Sequence, residues 1–246
     1  MIARAVQQSG QLRVEALAAL TGVSAVTIRR DLVDLEARGA VRRSAGVALR
    51  VLAAGEPIPF GQRFAADQAR KEALAEVVAE QIADYESVIL DNGTSVYAVA
   101  LRLAGRPITA MPLSLHAAVA LGARPGAHVI VPGGPVEPDS LALLGSQTVD
   151  AVRAMRADVL VLGACAISAD GELLAEHYED ALVKKAALES ARRVILVATG
   201  DKADRPANFR FGTAADIDAV VTTPDMSPQA IAALRAAGVE VRLVAR

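Results

Sequence analysis

Cysteine is nearly missing: Cys165 stands alone in 246 residues. A single thiol excludes an internal disulfide and fits a reducing compartment, so a cytoplasmic location is expected. Although 53% of residues are hydrophobic, no apolar run reaches the roughly 18 residues of a membrane span, and no membrane partner is expected. The chain opens without a charged, apolar, small-residue targeting pattern. No G-x-x-x-x-G-K-S/T occurs, and no G-x-G-x-x-G follows the first expected strand of the body, so Walker-type and nicotinamide sites are unsupported. His116, His128 and His177 lie far apart, without metal-ligand spacing. Neither a metal nor a cofactor is therefore expected. There is no internal repeat and no low-complexity tract.

What is present is divided. Residues 1–50 hold eight Arg against four acids, net +4, and the remainder holds eighteen Lys or Arg against twenty-four acids, net −6. A basic end on an acidic body is the pattern of a nucleic-acid reader attached to a domain with another task.

The basic end carries the sharpest motif, Gly22 to Leu32. Val14–Leu20 has helical spacing, with Val14, Leu17, Ala18 and Leu20 assigned inward. Gly22 suits the left-handed residue that closes that helix, and Ser24 suits the N-cap of the next. Ile28, Leu32 and Leu35 then define a buried stripe. At about 100° per residue, Val26 and Arg30 point away from it, with Thr27 and Arg29 on the flanks. Guanidinium for guanine or phosphate, hydroxyl for phosphate and a methyl for thymine make a major-groove surface. An ordinary solvated helix, with Arg30 paired to Asp34, is the competing reading. The neighbouring helix, glycine turn and serine cap favour DNA.

A helix over Ile2–Gln8 precedes this pair. Ala25–Arg38 is closed by Gly39, and the segment 40–49 reads as a two-stranded wing on which Arg42 and Arg43 would meet phosphate. Two prolines and two glycines between 54 and 61 argue against regular structure over 51–70. The expected domains are 1–52, a DNA-binding module; 53–69, a linker; and 70–246, a sensor and oligomerisation domain.

From Gln68 onward, helices and apolar strands alternate. Helices are expected at 68–82, 96–103, 142–155, 179–192 and 228–237, and strands at 88–90, 129–131, 159–162, 194–198, 219–222 and 240–244. The fold class is α/β: a winged helix-turn-helix followed by a Rossmann-like, mostly parallel sheet covered on both faces. Ligands of such sheets bind at the carboxyl ends of strands. There Asp91, Asn92, Gly93, Thr94 and Ser95 lead into a helix whose free amides suit a phosphate, or are simply capped. Lys184 and Lys202 lie near other strand ends, as phosphate partners or as solvated charges.

These residues resemble the DeoR family of bacterial transcription repressors over nearly the whole chain. The matching runs are Val14–Ala18, Gly22–Ser24, Thr27–Leu32, Leu35-Glu36, Gly39 and Arg42-Arg43. In the body they are Asp91, Gly93-Thr94-Ser95, Gly133-Gly134, Leu144-Gly145, Arg156–Asp158, Gly163-Ala164, Glu179, Val183-Lys184, Lys202 and Asp216–Asp218. The resemblance implies a sensor domain like ribose-5-phosphate isomerase that binds a phosphorylated sugar or related metabolite and so releases an operator. It implies DNA contacts from Ser24, Val26, Thr27, Arg29, Arg30, Arg42 and Arg43. It implies effector contacts from Asp91, Asn92, Gly93, Thr94, Ser95, Gly133, Gly134, Cys165, Glu179, Lys184 and Lys202. Ala110-Met111-Pro112 replaces a usual Thr-Asn-Ser, and Cys165 follows Gly163-Ala164 where Asp or Ser is usual. Both changes offer a polyol fewer hydrogen bonds.

The expected function is regulation of transcription, as a repressor of carbohydrate-metabolism genes acting as a homodimer or homotetramer on double-stranded DNA. No catalytic residue is expected. The alternative is a sugar-phosphate isomerase with an appended DNA-binding module, which would need a general base such as Glu179.

Overall fold

The computed structural model describes residues 1–44, 46–50, 59–164, 166–203 and 207–245, with the backbone alone at positions 8, 42, 44, 49 and 50. Two compact units divide the chain, Met1–Gln68 and Ala69–Arg246.

The first unit begins with α1 (Ile2–Ser9), β1 (Gln11–Arg13), α2 (Val14–Thr21) and α3 (Ala25–Ala37). It continues with β2 (Val41–Ser44), β3 (Val47–Arg50) and α4 (Phe60–Ala65). Gly22 is left-handed and its N–H closes α2 on the Ala18 carbonyl, while Ser24 accepts from Thr27 N at 3.1 Å and opens α3. Val6, Val14, Leu17, Ile28, Leu32, Val41 and Ala48 form the core, with Leu35 packed against it. Leu20, assigned inward, is 60% exposed; six residues beyond Val14 it has turned about 240° around the helix.

The wing is antiparallel, and β1 adds a third strand in the order β1-β3-β2. Three residues are too few to show periodicity, so β1 was not legible in the sequence. The expectation of irregular chain over 51–70 is corrected at α4, a single turn and a half stabilised by burial of Phe60 and by Gln62 Nε2 donating to the Gly10 carbonyl at 3.0 Å. Residues 51–58 lie outside the described set.

The second unit runs α5 (Gln68–Ala79), β4 (Ser87–Leu90), α6 (Thr94–Leu103), β5 (Thr109–Pro112), α7 (Leu115–Gly122), β6 (His128–Val129), α8 (Gly145–Ala154) and β7 (Ala157–Leu162). It continues β8 (Ala166–Ile167), β9 (Glu172–Ala175), α9 (Tyr178–Ser190), β10 (Ala191–Ala198), β11 (Phe209–Thr213), β12 (Ala219–Thr222), α10 (Pro228–Ala236) and β13 (Glu240–Leu243). Seven strands form one sheet in the order β13-β12-β10-β7-β4-β5-β6, and every neighbouring pair is parallel. Along β7, Leu160 and Leu162 enter one core while Val159 and Val161 enter the other. Strict alternation of two apolar sets is what a sheet buried on both faces requires.

Strand β5 and helix α7 were not foreseen, and several boundaries differ from expectation. Helix α8 starts at Gly145, not at 142, because Ala142 and Leu143 bridge to Ser114 and Val136. Strand β6 stops at Val129, leaving Ile130 and Val131 exposed. Helix α9 gives way at Ala191 to β10, whose register with β7 begins there. A small antiparallel sheet, β11-β9-β8, was not foreseen, since its strands are two to five residues long.

Candidate functional site

In the first unit the outward face of α3 is open. Val26 is 72% exposed; Arg29 and Arg30 are exposed, and Thr27 is half-buried. Ser24 Oγ and Thr27 Oγ1 lie 3.0 Å apart, so both hydroxyls serve the start of the helix. Among the described residues Arg30 pairs with no acid, Asp34 included, whereas Arg29 lies 3.9 Å from Glu15. Between α3 and the wing lies a cleft of about 490 Å³ lined by Arg29, Arg30, Leu32, Val33, Arg43 and Val47, among others. Arg43 is also engaged within the unit: Glu36 accepts from its Nε at 2.6 Å. The Arg42 side chain lies outside the described set.

In the second unit chain order reverses between β4 and β7. From β4 the chain adds β5 and β6 on one side, then returns to place β7 on the other. Ligands of open parallel sheets bind where strand order turns around, outside the carboxyl ends. Here those ends are Asp91 and Gly163. Gly93, at φ 106 and ψ 164, leads into α6 without a side-chain cap, so the first-turn amides of α6 have no capping side chain. Thr94 is buried at the first helical position, and Asn92 and Ser95 are half-buried beside it.

Lys184 does not reach this mouth as a free charge. It is 1% exposed. Its ammonium donates to Asp91 Oδ2, lies 3.4 Å from the Gly163 carbonyl and 3.7 Å from Asp180 Oδ1, and sits 5.7 Å from the Phe211 ring centre. An ammonium has three donors, and acceptors of this chain surround it. Asp91 Oδ2 also accepts from Gly163 N at 2.8 Å. Burial pushes the Asp91 carboxyl above the usual carboxylate range, against the pull of Lys184. Asn92 Nδ2 closes the ring by donating to Asp180 Oδ1 at 2.6 Å. A Cβ at Gly163 would lie 2.9 Å from the Asn92 carbonyl oxygen, so the two loops approach as closely as only glycine permits.

The other expected effector residues fall in different places. Glu179, in the first turn of α9, is exposed; the neighbouring Asp180 is the acid turned inward, and the sequence reading missed it. Its signal was the i,i+4 relation to Lys184 within the stripe Ala181, Val183, Ala187. Gly133 and Gly134 pack on α8: Thr148 Oγ1 donates to the Gly133 carbonyl at 2.7 Å, and a Cβ at Gly134 would meet Thr148 Oγ1 at 2.4 Å. Lys202 ends a 3-10 turn, Gly200–Lys202, that follows β10. Cys165 lies outside the described residues.

Glu137 was also missed. Burial raises it, but hydrogen bonds from Ser140 Oγ and from Ser140 N, both at 2.6 Å, together with one from Asp139 N, leave it below the usual carboxylate range. They fold the loop before α8 over the end of β5, where Leu143 N donates to the Leu113 carbonyl at 2.9 Å. Among the described residues no group of three or more His, Cys, Asp or Glu is arranged for a metal, and no helix is long and apolar enough to cross a membrane.

Residues 1–51 match the DeoR-like helix-turn-helix domain, and residues 66–223 match the DeoR C terminal sensor domain. The chain belongs to the DeoR family. It is 35% identical over 222 residues to a glycerol-3-phosphate regulon repressor of Haemophilus influenzae, covering 90% of this chain and 86% of that protein. It is 32% identical over 218 residues to the glycerol-3-phosphate regulon repressor of Escherichia coli K12, covering 88% and 86%. A putative aga operon transcriptional repressor of Escherichia coli O157:H7 is 30% identical over 247 residues, covering 99% and 91%. Of solved structures, ribose 5 phosphate isomerase A from Neisseria gonorrhoeae overlaps this DeoR-family chain in part, with TM-score 0.39 and 16% identity over 54% of this chain and 52% of that one.

Proposed function

We propose that this DeoR-family chain is a cytoplasmic repressor of carbohydrate-metabolism genes, released from its operator by a phosphorylated sugar or related metabolite. The observation that carries the DNA part is the open face of α3, with Val26 and Arg30 outward beside a cleft that Arg29 and Arg43 also line. In this reading residues 1–52 are the DNA module, 53–69 join it to the sensor, and 70–246 sense and oligomerise. Val26, Arg29 and Arg30 meet the duplex, Thr27 flanks them, Ser24 orders the helix start, and Arg42 and Arg43 meet phosphate from the wing. One winged module reads few base pairs, so a homodimer or homotetramer on a repeated site is part of the proposal.

The effector phosphate is assigned to the amides of Gly93, Thr94 and Ser95 at the start of α6, where the helix dipole favours an anion. Asn92 faces the same mouth, and Lys202 supplies charge from the end of β10. Lys184 and Asp91 support the site from beneath, which revises their assignment as ligands. An effector with differential affinity for the DNA-competent and released states drives the switch.

The test uses a duplex enriched from a randomised pool by the wild-type chain. Arg30→Ala is expected to weaken its binding by about 1–3 kcal/mol; unchanged binding refutes the assignment. Glycerol 3-phosphate and other phosphorylated sugars and polyols are then screened for a rise in melting temperature and for release of that duplex. The isomerase alternative needs a general base, and Glu179 is exposed in the first turn of α9. Turnover of ribose 5-phosphate by the purified chain, lost in Glu179→Gln, would establish it.

A further inference from the structure

We infer that Glu36 is a positioning residue for DNA recognition, fixing the wing against the recognition helix through Arg43 so that the two bind the duplex as one surface. The inference rests on the DNA reading proposed above. Glu36 lies near the end of α3, and Arg43 lies on β2 in the wing. One carboxylate oxygen accepts from the Arg43 backbone N at 2.8 Å, and the other accepts from Arg43 Nε at 2.6 Å. A backbone amide and a guanidinium nitrogen of the same residue are thus held by one carboxylate. The first fixes where β2 runs relative to α3, and the second fixes where the guanidinium points.

Stability does not account for this arrangement. The two side chains are 41% and 35% exposed, and an exposed ion pair contributes only about 0–1 kcal/mol. The unit has its own apolar core in Val6, Val14, Leu17, Ile28 and Leu32. A carboxylate on this surface also opposes a polyanion. Its partner Arg43 lines one cleft together with Arg29 and Arg30 of a different element. Its contribution is geometric. Arg29 and Arg30 are carried by α3 and Arg43 by the wing, and the Glu36 bonds set the distance between the two groups. A site loose by about 1 Å loses much of its selectivity.

Full-length wild type, Glu36→Gln, Arg43→Lys and Arg30→Ala are compared on two labelled duplexes, one of arbitrary sequence and one enriched from a randomised pool by the wild type. For E36Q, binding to the arbitrary duplex is expected to tighten, because a carboxylate that opposes the polyanion is removed while Arg43 keeps its charge. Its binding to the enriched duplex is expected to fall about tenfold, the order of a coupled contact. For R43K, the salt slope is expected to stay as in the wild type while affinity for the enriched duplex falls by a similar factor. Melting curves of both variants are expected to match the wild type. Equal changes on the two duplexes, or losses that track a lowered melting temperature, would overturn the positioning role. So would an R30A variant that loses the enriched duplex while E36Q keeps it. A wild-type chain that binds neither duplex overturns the DNA reading itself.

Discussion

Replacing Lys184 with Met leaves Asp91 as a buried acid without its cation. Both side chains are almost fully shielded, at 2% and 0% exposure. Breaking such a pair from one side costs about 3–5 kcal/mol, because the remaining charge is neither solvated nor matched. A domain of this kind has about 5–15 kcal/mol in total, so about a fifth or more of its stability is at stake. At about 2–4 °C per kcal/mol for this size, the sensor transition is expected to fall by about 6–20 °C. Thermal and urea unfolding followed by circular dichroism measure it.

The pH dependence has a definite sign. Asp91 is already raised in the folded state by burial, and removing Lys184 raises it further. An acid with a raised folded value loses stability as pH climbs through its unfolded value, and regains it below. The deficit of Lys184→Met is therefore expected to shrink as pH falls toward the ordinary carboxylate range. The double variant Lys184→Met with Asp91→Leu is expected to be more stable than the single one, because the fully buried carboxylate is gone and Asp180 keeps its bond from Asn92. A Lys184→Met chain that melts within about 1 °C of the wild type, yet no longer responds to sugar phosphates, would refute the reasoning and return Lys184 to the role of ligand.

Three further expectations follow from single contacts. Ser24→Ala removes the acceptor of Thr27 N and is expected to cost about 1 kcal/mol in the melting of the first unit, with Ser24→Gly costing less. Gly163→Ala places a Cβ 2.9 Å from the Asn92 carbonyl oxygen and is expected to weaken effector response more than duplex binding, read by titration of each. Asp158 is held below the usual carboxylate range chiefly by Ser87 Oγ, which donates at 2.6 Å. Its contribution is present above the unfolded carboxylate value and lost as pH falls through the folded one, so Asp158→Asn is expected to flatten acid unfolding of the sensor.

Local chemistry was legible and distant pairing was not. Gly22, Ser24 and the Ile28–Leu32 spacing are short-range signals, and α2 and α3 form where they point. The turn Asp91–Ser95 could be placed at a strand end, because the apolar run before it and the helix after it are contiguous. The fate of Lys184 was hidden, since its partner Asp91 lies 93 residues away. Sequence spacing cannot tell a lysine that reaches solvent from one drawn inward by a carboxylate at the end of a distant strand. The packing of Gly133-Gly134 on Thr148 was hidden for the same reason: their closeness is a product of the fold. The small antiparallel sheet lacked even a local signal, its strands being too short for an alternating pattern.

The order of the large sheet has a consequence for how the chain matures. Strand β4 lies inside the sheet between β5 and β7, and its pairing with β7 joins Val88 to Val159. A ribosome delivers the first unit, with its own core of α1 to β3, long before that partner emerges. Until residue 157 and beyond are made, β4 can pair with β5 but keeps its other edge bare. Non-local parallel pairing is slow, and a bare strand edge invites other chains. A nascent molecule thus holds a completed DNA reader for a period in which its sensor has no closed sheet and no switch point. Faster translation over residues 91–156 would narrow that window without altering a single contact of the finished protein.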